Sequence, residues 1–241
     1  MQLRVASYNI HRAIGKDGRY EPGRILRVLS ELKADIVALQ EIDLKEPDGL
    51  QLLPWLAART GLTAIPGPVR SRGPCQYGNA LLTRFPVTGV RHWDLSVGLH
   101  EPRGALDVDL RWRGRTMHVV TTHLGLWPRE RPLQVERLLK VFAMCRHDLT
   151  VLMGDLNEWN VRGKALRGVS GLFGASSSPA TFPARCPMLP LDRIWIAPAQ
   201  ALLSVAVHDT PLSRLASDHL PIKADIRFPR GSVPVTRSPV A

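Results

Sequence analysis

The chain has 241 residues, 44% apolar and 22% charged, which excludes a disordered or fibrous protein and fits a soluble globular one. No run approaches the ~20 continuous apolar residues of a membrane span. The start Gln2-Leu3-Arg4-Val5-Ala6-Ser7-Tyr8 alternates like a strand and lacks the long apolar core of a signal peptide. A cytoplasmic protein with no integral membrane association is expected. Lysine and arginine number 32 against 21 Asp and Glu, a formal charge of +11; such a field attracts nucleic acid, anionic headgroups or other phosphates. Cys75, Cys145 and Cys186 lack metal-site spacing and read as thiols of a reducing compartment.

In chain order, Leu3 to Ile10 reads as a strand and Gly23 to Lys33 as a helix, with Ile25, Leu26, Val28, Leu29 and Leu32 at helical spacing. Asp35 to Ile42 is a short buried strand. A helix near Leu50 to Thr60 and a short strand Thr63 to Ile65 precede a Pro/Gly/Arg loop, Pro66 to Gly78. Asn79 to Thr83, Thr88 to Leu95, Ala105 to Trp112 and Arg115 to His123 follow as strands, the last two joined at Arg113-Gly114. Arg131 to Cys145 is an amphipathic helix and Thr150 to Asp155 a buried strand. Ser170 to Pro190 reads as a long loop. Leu191 to Ala197, Ala201 to Val207 and Leu220 to Phe228 close the series. Residues 1–228 are expected to form a single domain. Pro229 to Ala241 has no periodicity and reads as a disordered tail.

The informative pattern is the polar text where strands end: Asn9-Ile10-His11, Gln40-Glu41, Thr121-Thr122-His123 and Gly154-Asp155-Leu156-Asn157. Asp192 opens a later strand and Asp218-His219 precedes another. Loops at strand ends free side chains from the core, so several such ends suggest one assembled site. Asp155 and Asn157, two apart, would point the same way in an extended segment; alone, they read equally as an Asx turn closing a loop.

Taken together, Ser7-Tyr8-Asn9-Ile10-His11, Leu39-Gln40-Glu41, Gly78 to Arg84, Arg103 to Leu106, Thr122-His123-Leu124, Gly154 to Asn157, Leu191 to Ile194 and Ser217-Asp218-His219 resemble the endonuclease/exonuclease/phosphatase superfamily. That group includes deoxyribonuclease I, abasic-site endonucleases, neutral sphingomyelinases and inositol-polyphosphate phosphatases. The closest likeness is to compact bacterial members. The resemblance implies an α/β fold: a four-layer α/β sandwich of two packed mixed β-sheets flanked by helices, deoxyribonuclease I-like. It also implies a Mg2+ site, with Mn2+ as a substitute, on Glu41, Asn9 and Asp218. Asp155 would activate water and Asn157 would fix it or a phosphate oxygen. Asp192 and His219 would form a charge-orienting pair. His123 would act as acid or as a phosphate ligand, with Asn79 and Arg103 on the phosphate side. His92, His100, His118 and His208 read as structural.

The expected activity is divalent-metal-dependent hydrolysis of a phosphodiester by in-line attack of water. Charge, with Arg70, Arg72 and Arg84, puts nuclease or DNA-end processing first. A sphingomyelinase-like phosphodiesterase of phospholipid headgroups or small molecules is the alternative. A phosphomonoesterase and a non-catalytic nucleic-acid-binding module rank lower. Trp127 and Trp159 read equally as core residues or as exposed rings that meet a base, a lipid or an aryl leaving group.

Overall fold

Period-two alternation along each strand puts one stripe of side chains between two sheets and the other under helices. In the computed structural model, β1 (Gln2–Asn9), β2 (Ile36–Lys45), β3 (Thr63–Pro68), β4 (Gln76–Thr83), β10 (Leu202–Val207) and β11 (Ile222–Arg227) form one sheet, ordered β10-β11-β1-β2-β4-β3. The second sheet is β5 (Val87–Asp94), β6 (Gly104–Trp112), β7 (Arg115–His123), β8 (Leu149–Asp155) and β9 (Asp192–Ala197), in chain order. The structure describes residues 2–45, 51–69, 76–142, 147–160, 163–174 and 176–228. Arg70, Arg72, Cys75, Cys145 and the expected tail 229–241 lie outside them.

Each sheet is mixed. The pairs β1–β2 and β7–β8 are parallel, and the other neighbours run antiparallel. Val5, Ile36, Ala38 and Leu81 of the first sheet share a buried core with Leu106, Val108, Val119, Val151, Met153 and Ile194 of the second. Residues of opposite parity, including Tyr8, Val37 and Leu82, pack under helices α1 (Pro22–Leu32) and α2 (Leu52–Thr60). Val120, Leu152 and Trp195 do the same under α3 (Arg131–Val141) and α4 (Arg167–Phe173). The order helix, sheet, sheet, helix is the expected four-layer sandwich. Each fully buried Val, Leu or Ile contributes roughly 1.5–3 kcal/mol, so the two faces of each sheet supply the main driving force.

Several elements differ from the sequence reading. β3 runs on through Pro66 and Pro68 because it is an edge strand, where a missing N–H breaks no ladder bond. The loop expected from Ser170 begins as helix, since Val169 and Phe173 bury one face of α4. A short helix α5 (Pro211–Ala216) was not expected. Thr210 caps it through the Ser213 amide, and the Ser213 hydroxyl answers the Thr210 N–H.

Candidate active site

The inter-sheet stripe changes character at one end of the sandwich. Leu3 and Val5 are followed at the same parity by Ser7 and Asn9; Ile36 and Ala38 by Gln40; Met117 and Val119 by Thr121 and His123; Val151 and Met153 by Asp155. On β4, β9 and the segment before β11, Asn79, Asp192 and His219 stand at the same end. All of these polar residues are buried. In this polar layer Ser7 of β1 donates to Gln40 Oε1 of β2 at 3.2 Å, and Gln40 Nε2 donates across the sheets to Thr121 Oγ1 of β7 at 3.1 Å.

Glu41 has the wrong parity for this layer and reaches it through a bulge. Between Leu39↔Ala80 and Ile42↔Gly78, two residues of β2 oppose one of β4. Glu41 takes φ 55°, a conformation L residues rarely adopt. Its carboxylate thereby joins Asn9, whose Nδ2 donates to Glu41 Oε1 at 2.9 Å and to Asp155 Oδ2 at 3.0 Å. The Asn9 oxygen accepts the His11 backbone N–H at 3.1 Å, which fixes the amide's orientation. Asn9 therefore clamps two carboxylates with its nitrogen.

Asp155 is the hub. Its Oδ1 accepts the Asn157 N–H at 2.9 Å, so the Asx turn is present as well as the convergence. Asn157, at φ 50°, donates to the Leu124 carbonyl at 2.9 Å, and its Nδ2 abuts His123 Nε2 at 3.0 Å. His123 Nε2 and His219 Nε2 lie 3.4 and 3.6 Å from Asp155 Oδ2. His219 Nδ1 donates to Asp192 Oδ2 at 2.9 Å, and Thr181 donates to the same oxygen at 2.5 Å. Phe182 packs on the His219 ring, with centroids 4.8 Å apart.

The two imidazoles differ in charge. Burial opposes the charge of His219, and Asp192, Asp155 and Asp218 more than offset it, so its pKa is pushed up to about 10. Burial and the Arg103 guanidinium push His123 down to about 3. Arg103 Nη1 lies 3.1 Å from His123 Nδ1 and, as a guanidinium, can only donate. A neutral ring accepts on one nitrogen, so the Arg103 contact assigns the hydrogen of His123 to Nε2. Arg103 is buried and is held by Tyr77 at 3.1 Å and Glu101 at 2.7 Å.

These groups open into a cleft of about 670 Å³ lined by Glu41, Arg103, His123, Asp155, Asn157, Asp218 and His219, among others. Asn79 does not line it; it is buried and donates to the Gly104 carbonyl at 3.0 Å. Arg131 and Gln134 also stay outside the cleft wall and brace the loop after β7. Trp127 and Trp159 are exposed. Tyr77, Thr181 and Phe182 were missed in the sequence; a Tyr, Thr or Phe in a loop or edge carries no local motif.

The donor set fits a hard divalent cation. Burial, Asp155 and Asp218 hold the Glu41 carboxyl above its ordinary pKa despite the Asn9 hydrogen bond. Among the described residues, the basic side chains within 4.0 Å of the Glu41 and Asp218 carboxylates are imidazoles, the neutral His123 at 4.0 Å and His11 at 3.9 Å. A cation held by carboxylate oxygens would relieve that repulsion. Asp155, Asp192 and His219 also bring ligand atoms within 4.8 Å of one another, and the three aspartates around His219 favour its protonated form. A second such group, Asp107, Asp109 and His118, lies apart and is already occupied by Arg91, which pairs with both aspartates at 2.8 Å.

The profile of the Endonuclease/Exonuclease/phosphatase family matches residues 6–219, which span this whole constellation. The chain belongs to that family. It is 30% identical to the Uncharacterized protein YbhP of Escherichia coli (strain K12), over 94% of this chain and 96% of that one. An endonuclease/exonuclease/phosphatase from Beutenbergia cavernae DSM 12333 shares the fold with TM-score 0.79 and 24% identity, covering 98% of this chain and 73% of that one. D. rerio TDP2 complexed with single strand DNA product superposes with TM-score 0.71 at 18% identity, over 94% and 99% of the two chains. Members of the family are typically hydrolases of phosphoester bonds. Among the described residues no helix is long and apolar enough to cross a membrane.

Proposed function

We propose that this family member is a divalent-metal-dependent phosphodiesterase of the cytoplasm in which water attacks phosphorus in line. The observation that carries the reading is Asp155, buried at the base of the cleft between a cationic and a neutral imidazole. Glu41 and Asp218, with Asn9 clamping Glu41, would hold Mg2+ or Mn2+. When bound, that ion supplies Lewis-acid polarisation of a phosphate oxygen.

The chain's own residues do the rest. Asp155 accepts a proton from the attacking water, which Asn157 helps to place. The His219 imidazolium presents Nε2–H where negative charge grows on the phosphoryl oxygens, and Asp192 holds its ring. His123 donates from Nε2 as a neutral ring, its Nδ1 fixed by Arg103. The new P–O bond forms as the bond to the leaving alkoxide breaks; the alkoxide takes a proton from solvent and Asp155 returns the one it accepted, giving a monoester and an alcohol with no covalent enzyme intermediate.

Charge and the likeness to TDP2 support a nucleic-acid substrate. The cleft itself favours a second reading, a phospholipid headgroup or small diester. Arg12 and Arg103 are engaged by Asp43 and Glu101 at 2.9 and 2.7 Å, and Leu126, Trp159 and Leu189 make much of the wall apolar. The test is hydrolysis of bis-p-nitrophenyl phosphate, p-nitrophenyl phosphate, plasmid DNA and phospholipid with Mg2+ or Mn2+. Diester turnover that vanishes in excess chelator is expected. Full turnover in chelator, or turnover of the monoester alone, contradicts the proposal.

A further inference from the structure

Five large apolar side chains stand apart from the rest. Leu99, Leu126, Trp127, Trp159 and Met188 are between 61% and 88% exposed, and the other exposed large apolar residues among those described reach 47% at most. All five line the cleft or lie within two residues of one that does. Leu126 and Trp159 line it, and Met188 precedes Leu189, which lines it too. Trp127 follows Leu126 and its ring lies 6.2 Å from that of His100, next to Leu99. Exposed apolar surface gathered in one place marks an interaction site.

The exposure is built into the fold. Behind the loop after β7, Glu130 accepts the Trp127 N–H at 3.0 Å and Gln134 accepts the Gly125 N–H at 2.8 Å. Arg131 donates to the Leu126 carbonyl at 2.7 Å and pairs with Glu158 at 3.3 Å, one residue before Trp159. Arg193 holds the Glu158 carbonyl at 2.7 Å. Glu130, Arg131, Gln134, Glu158 and Arg193 are all buried. Gly125 has no Cβ because one would meet the Glu130 carboxylate. A buried polar brace thus turns Leu126, Trp127 and Trp159 outward.

Resting on the phosphodiesterase reading above, we propose that this end of the sandwich docks on the surface of an anionic phospholipid bilayer, with the cleft facing the headgroups. Three of the five side chains are aliphatic and cannot stack on bases, whereas Leu, Met and Trp all enter the boundary between headgroups and acyl chains. Arg129 is exposed on the same loop, and the net charge of +11 draws the molecule to an anionic surface.

The experiment uses the full chain with vesicles of equimolar phosphatidylcholine and phosphatidylglycerol, read by co-sedimentation and tryptophan fluorescence. Wild type is expected to bind these vesicles, with a blue shift, and to bind pure phosphatidylcholine less. The double variant Leu99→Ser/Trp127→Ser replaces no residue that lines the cleft. Its vesicle partition should fall at least about tenfold while turnover of soluble bis-p-nitrophenyl phosphate stays within about twofold. Trp127→Phe should keep most of the binding. No vesicle binding by wild type, undiminished binding by the double variant, or a loss confined to single-stranded oligonucleotide would overturn the proposal. Vesicle binding without hydrolysis of any diester would sustain the docking surface and remove the phosphodiesterase reading.

Discussion

His123 and His219 flank one carboxylate, yet hold their protons very differently. His219 is raised to about 10 by the three aspartates around it, against burial, and 6.5 is its ordinary value. A raised imidazole contributes stability that is fully present below about 6.5 and is lost as pH climbs through about 10. Asp192→Asn removes the negative charge beside Nδ1 and lowers the His219 pKa. The variant should lose stability, on the order of a few kcal/mol, at neutral pH, and its stability should fall less steeply between pH about 7 and 10. Thermal unfolding against pH measures both. A variant profile that parallels wild type through that range would contradict the pairing. His123 has the opposite sign. Burial and Arg103 lower it to about 3, so its neutral form favours the folded state above about 6.5 and that contribution fades toward pH 3. It should give no titration in the activity profile near neutrality.

At the scale of elements, the site depends on two backbone irregularities that interrupt otherwise regular strands. One is the β2 bulge that brings Glu41 into the inter-sheet layer. The other is Gly154, at φ 152°, where a Cβ would lie 1.9 Å from the Thr122 carbonyl oxygen on the neighbouring strand. Gly154→Ala must push β8 away from β7 and move Asp155 relative to His123. A loss of roughly 1–3 kcal/mol in stability and at least about tenfold in kcat is expected, measured by thermal melts and steady-state hydrolysis. Unchanged values for both would show that the close approach is dispensable. These irregularities also explain what could be read in advance. The polar ends of β1, β7 and β8 follow from parity and were legible in Asn9, His123 and Asp155. Glu41 was legible as a polar strand end too, but it has the parity of the helix-facing residues, and its metal role came from the resemblance to a motif. Thr181 and Phe182 reach His219 from an irregular segment with no periodicity to read. The Thr210-Pro211-Leu212-Ser213 capping pattern of α5 was present in the sequence, but the helix has no apolar run long enough to stand out.

Across the whole molecule, the same inter-sheet layer serves as core and as floor of the candidate site. It is apolar through most of its length and polar at one end, joined across the sheets by Gln40 and Thr121. The residues spanning 6–219 supply one or two groups each, so the cleft exists only when both sheets are packed. Fold and site are therefore coupled, and a loss of activity has meaning only at matched stability. The proposed reaction rests on the constellation, while the proposed docking rests on the braced apolar mouth. The most direct measurement is turnover of bis-p-nitrophenyl phosphate with Mg2+ or Mn2+ by wild type and Asp155→Ala, each shown by thermal melting to be folded. The account predicts a fall of about a thousandfold or more in kcat for Asp155→Ala. Near-wild-type turnover by the folded variant would contradict it.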